Sequence, residues 1–111
     1  MGDRGQVFVN GIFLYSHWGA TELIEIVKKA LARKERWDDP EYLARIIFQE
    51  MLDGDTGATG YGIGKNNHGD IWRLITLDHG FVKVEDYEKV KFDGTFESFL
   101  NWIPRKESEE E

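Results

Sequence analysis

One hundred and eleven residues make one domain with room for its own core, and the absence of cysteine excludes a disulfide scaffold, a Cys-ligated metal centre and a thiol nucleophile. A hydrophobic content of 41% with 14% aromatics excludes disorder of the bulk; with no run near the ~18 apolar residues of a membrane span and no signal-like start, a soluble cytoplasmic protein without a membrane partner is expected. Net charge is −7, and Glu107, Glu109, Glu110 and Glu111 carry part of it, so the body is mildly acidic and lacks the basic face that nucleic acid demands.

Residues 6–9 and 12–16 flank Asn10-Gly11, a pair suited to the two positive-φ positions of a type I′ turn, which predicts a β-hairpin. After the connector His17-Trp18-Gly19-Ala20, Thr21 is the expected N-cap of a helix over 22–33, buried along Leu23, Ile24, Val27, Ala30 and Leu31. Lys28, Lys29, Arg33, Lys34 and Arg36 crowd its C-terminal end, where cations complement the helix dipole; the simplest reading is a solvated face. Asp39 and Pro40 open a second helix as N-cap and first helical residue, and Leu43, Ile46, Ile47 and Met51 form its buried stripe through about Leu52.

Residues 53–64, DGDTGATGYGIG, hold five glycines and cannot be helical; a short edge strand is expected around 61–63. Strands follow over 71–77 and 81–84 about the turn Asp78-His79-Gly80, with a further strand over 89–92. Thr95 caps a last helix with Phe96, Phe99, Leu100 and Ile103 on one face, ended by Pro104. The order ββ-αα-βββ-α is that of a single α+β domain over 1–104, with helices packed on a largely antiparallel sheet. A disordered acidic tail is expected over 105–111.

Four constellations bear on chemistry. His17, between Tyr15 and Trp18, has the residue type of a general base or ligand, and Trp18 offers a stacking face; the structural alternative is that Trp18 plugs the core edge. Gly60-Tyr61-Gly62-Ile63-Gly64-Lys65 suggests a phosphate loop, but Thr59 stands where the Walker pattern needs glycine and Asn66 where it needs Ser or Thr. Asp53 and Asp55, near Glu50, have the spacing that opens a calcium loop, yet Ala58 and Gly64 occupy its turn and bidentate positions. Arg36-Trp37-Asp38-Asp39-Pro40 reads as a rigid corner between helices, with Trp37 packed inside and Arg36 and Asp38 left to pair with each other or with a partner. No helical His-His metal motif is present, and His17, His68 and His79 all fall in predicted turns.

Tyr15-Ser16-His17-Trp18-Gly19, the run from Leu31 to Pro40, Tyr42-Leu43-Ala44-Arg45-Ile46-Ile47-Phe48 and Thr59-Gly60-Tyr61-Gly62-Ile63 together resemble a group of small bacterial, archaeal and phage proteins. These carry a YxHWGG-type turn and an RWDDxxYLARI helix pair, and have no established activity. The likeness covers roughly residues 4–64, with Ala20 in place of the second glycine. It implies an accessory or mobile-element protein and groups His17, Trp18, Arg33, Arg36, Trp37, Asp38, Arg45 and Tyr61 on one surface or cleft.

The reading is a small intracellular binding or accessory module without a cofactor. It would act by protein–protein contact or by binding a small anionic ligand, with aromatics stacking and arginines pairing the anion. The alternative is a metal-assisted nucleotide or phosphoester hydrolase with His17 as general base and Asp53 or Asp55 holding a divalent ion. Exposed aromatics are compatible with a symmetric homodimer.

Overall fold

Alternating apolar residues on six short segments build the sheet of the computed structural model, which describes residues 3–55, 57, 60–67, 69 and 71–103. The strands are β1 (Gly5–Val9), β2 (Ile12–Ser16), β3 (Tyr61–Gly64), β4 (Arg73–Asp78), β5 (Phe81–Asp86) and β6 (Lys89–Thr95). They lie in the order β3-β2-β1-β4-β5-β6; every neighbouring pair is antiparallel except the central β1–β4 pair. Helices α1 (Leu23–Ala32), α2 (Pro40–Leu52) and α3 (Phe96–Asn101) complete a single α+β domain. The acidic tail expected over 105–111, with Pro104 and His68, lies outside the described residues.

Register places Val7, Leu14 and Ile75 side by side, with Val84 next across the sheet. These join the stripes of all three helices in one core that includes Leu23, Val27, Leu31, Ile47 and Phe99. Successive strand residues point to opposite faces, so the helices cover one face. Phe8 and Phe13 pair across the other, with ring centroids 4.5 Å apart. Gly5 faces the helices, and a Cβ there would lie 2.8 Å from that of Ala20, so its bare backbone lets the 3-10 turn Ala20–Glu22 sit against β1.

Among the described residues, four strands separate α2 from α3, at the four segments expected there, one more than the order ββ-αα-βββ-α counts. The turn between β5 and β6 has no glycine: Tyr87 and Glu88 take φ of 52° and 68° there. Two further details differ from expectation. Thr21 does not cap α1; its amide donates to Asp3 Oδ2 at 2.9 Å, and Glu22 takes the N-cap position with no side-chain bond. The last helix ends at Asn101, leaving Ile103 exposed, and Trp102 packs on Phe92 and Phe99 instead. The cap of α3 is as expected, with Thr95 Oγ1 accepting from the Ser98 amide at 3.0 Å.

A clasp ties the chain start to the sheet centre. Arg73 Nε and Nη2 donate to the two oxygens of Asp86, both at 2.8 Å, while Nη1 donates to the carbonyls of Ala20 (3.1 Å) and Thr21 (3.3 Å). Its guanidinium lies 4.5 Å from the Trp72 ring, and the Trp72 indole donates to Asp3 Oδ1 at 2.7 Å. With side-chain exposures of only 11% and 13%, Arg73 and Asp86 form a bidentate pair in a partly dry setting. Removing either partner would strand the other charge, at a cost of about 3–5 kcal/mol.

Burial pushes the Asp3 carboxyl pKa up, but hydrogen bonds from Thr21 and Trp72 and the nearby Arg73 charge outweigh it and hold the group below its ordinary value. The stability this provides is present above the unfolded carboxylate pKa of about 3.9 and is lost as pH falls through the lower folded value. Asp3→Asn is therefore expected to unfold at lower urea than the wild type at neutral pH, with the gap closing as pH falls below the ordinary carboxylate range. At the β5–β6 turn, Glu88→Gly relieves a left-handed residue at some entropic cost, for a net gain of about 0.5–1 kcal/mol, read from the urea midpoint.

Candidate functional site

The corner between α1 and α2 is built around Trp37. Lys34 turns the chain out of α1 with φ of 53°, and the Trp37 indole N–H donates to the Leu31 carbonyl at 2.8 Å. The ring meets Phe96 edge-on, with centroids 5.4 Å apart. Pro40 opens α2 as expected, but the Asp39 carboxylate makes no cap bond and lies 3.9 Å from Arg36. Arg36 stacks its guanidinium on Tyr42 at 4.6 Å, so its partners are Asp39 and Tyr42 where the sequence suggested Asp38.

Beside this corner lies a half-open recess of about 940 Å³. Its other walls are the Asn10–Gly11 turn, the Asp78–Gly80 turn and the start of α3. Trp37, Leu43, Leu77 and Phe96 are among its apolar lining residues, and Asp38, Asp78 and Glu97 are among its acidic ones. His79 joins the rim, its Nδ1 2.6 Å from Asp78 Oδ1. Among the described residues, no lysine or arginine lines this recess.

His17 sits elsewhere. It follows β2 at the end of the first hairpin remote from Asn10–Gly11. The Tyr15 hydroxyl lies 3.0 Å from His17 Nδ1; with the imidazole neutral and its proton on Nε2, the phenol donates. The His17 amide donates to the Gly60 carbonyl at 2.8 Å, joining the connector to the glycine-rich loop. Trp18, 63% exposed, meets the His17 ring edge-on at 4.7 Å and lies over Gly60. Tyr61, opposite Ser16 in β3, is half-buried and packs on the core.

The expected single cleft thus divides. His17, Trp18 and Tyr61 gather at one end of the β1–β2 hairpin; Trp37 and Asp38 line the recess at the other, with Arg36 beside them in sequence. Arg33 bonds to Glu35 and approaches Glu50 at 3.7 Å, and Arg45 is exposed on α2. Much of the basic run is internally satisfied, since Lys28 donates to the Trp102 carbonyl and Lys34 pairs with Glu97 at 3.6 Å. Asp53 is the left-handed residue ending α2, and Asp55 Oδ1 accepts from the Gly57 amide at 2.7 Å. Among the described residues, no three His, Asp or Glu side chains gather as metal ligands, and no helix is long and apolar enough to cross a membrane.

Asp78, His79, Phe96 and Glu97 were legible only as turn and helix-start residues; nothing in their spacing indicates a common recess. No protein-family profile, curated protein or solved structure matches this chain.

Gly60 tests the coupling of loop and connector. Its φ is +96°, and an added Cβ would lie 2.8 Å from Trp18 Cζ3. Gly60→Ala is expected to cost about 1–2 kcal/mol in urea unfolding and to move the Trp18 indole resonance, with the Trp37 indole unchanged.

Proposed function

We propose that the protein is a small intracellular binding or accessory module that acts by protein–protein contact, receiving a segment of a partner in the recess beside Trp37. The observation that carries this reading is the recess itself, an apolar trough with a few charged groups at its edge. A cleft that holds a small molecule encloses most of the ligand's surface. The recess of about 940 Å³ is open along one side, as a site for a polypeptide segment must be. The aromatic lining also fits, because tryptophan and its aromatic neighbours concentrate binding energy at protein interfaces.

The small anionic ligand finds less support here, since the charged side chains that line the recess include Asp38, Asp78 and Glu97. The hydrolase alternative would need an ion held beside His17. Instead the His17 ring meets Tyr15 and Trp18, while Asp55 is engaged in its own loop.

Placing a benzophenone-bearing side chain at position 38, and separately at Lys83 on the helix-free face of the sheet, tests the docking reading in living cells. Illumination is expected to yield a discrete protein adduct from position 38 and none from position 83. The same adduct from both positions, or none from position 38, would overturn it.

A further inference from the structure

We infer that the recess selects a positively charged segment, an arginine or lysine flanked by apolar residues, opposite in sign to the anionic ligand that the sequence suggested. This rests on the docking reading and adds the chemistry of the occupant. Three features of the recess carry it.

The first is charge. Asp38, Asp78 and Glu97 are among the residues that line the recess, and among the described residues no lysine or arginine is. The second is the aromatic surface. Because the Trp37 N–H is spent on the Leu31 carbonyl, what this residue offers a ligand is its ring, whose electron-rich face attracts cations.

The third is that the chain already places a cation of its own at this edge. Lys34 Nζ lies 5.9 Å from the centre of the Trp37 ring and 3.6 Å from Glu97 Oε2. Both members of the Lys34–Glu97 pair are more than half exposed, so the contact is weak and exchangeable. Lys34 is a tethered stand-in for the incoming group. A guanidinium, flat and less strongly hydrated than an ammonium, combines ring stacking with carboxylate pairing and can displace it. Apolar neighbours in the same segment would then meet the apolar lining around Leu43 and Leu77.

The test uses three N-acetylated, C-amidated pentapeptides, Leu-Arg-Leu-Arg-Leu and its counterparts with citrulline or glutamate in place of arginine, titrated into the full isotopically labelled chain. The arginine peptide is expected to bind about fivefold or more tightly than the citrulline peptide, to move the Trp37 indole resonance, and to weaken with added salt. The glutamate peptide should bind most weakly. The pair Asp38→Asn and Asp78→Asn is expected to erase the preference for arginine over citrulline. Lys34→Asn, which suits the left-handed backbone there, should tighten binding of the arginine peptide. Equal binding of all three peptides at Trp37 would overturn the charge selectivity while leaving the docking reading intact. Tighter binding of the glutamate peptide would also overturn it, and no response at Trp37 from any peptide at millimolar concentration would count against both.

Discussion

The arginine at the start of β4 is the constraint on which the architecture turns. Arg73 spends its donor fork on Asp86 across the sheet and on two carbonyls of the turn that launches α1, while its face lies against Trp72. One planar cation thereby fixes a β4–β5 pair, the entry to the first helix and, through the Trp72 indole and Asp3, the chain leading into β1. A lysine could supply the charge but not the bidentate geometry. With this anchor in place, α1 leaves from the turn that Arg73 holds, and the corner after it brings Trp37 and Asp38 to the recess.

The two ends of the hairpin divide the chemistry of the molecule. At one end, His17 is engaged by Tyr15 and Trp18, and its amide holds the glycine-rich loop. At the other, apolar and acidic side chains surround space. Histidine, tryptophan and arginine are common in binding sites, but here His17, Trp37 and Arg33 already hold partners within the chain.

The elements were largely written in local chemistry. Asn10-Gly11 marks its hairpin by tolerating positive φ, Asp39-Pro40 marks the start of α2, and Thr95 caps α3 through its hydroxyl. At α1, Thr21, the expected cap, instead donates its own amide to Asp3, which lies far away in sequence. The site was harder to read because its walls come from four separate places in the chain. Periodicity reveals which face of a helix is buried but not which turn of a distant hairpin will stand opposite it. Grouping His17 with Trp37 followed from residue type; their separation follows from the direction of β2, which only the assembled sheet defines.

The parallel pairing of β1 with β4 has a consequence for how this chain acquires its shape. Gly5 meets Arg73, and nearly everything between them must be traversed before that ladder can close. The flanking hairpins and the α1–α2 pair are local and can assemble early, whereas the middle of the sheet waits on a long loop whose closure entropy must be met first. The most sheltered strands of the finished molecule are thus joined by its slowest encounter, and until that encounter both present unsatisfied edges to their surroundings.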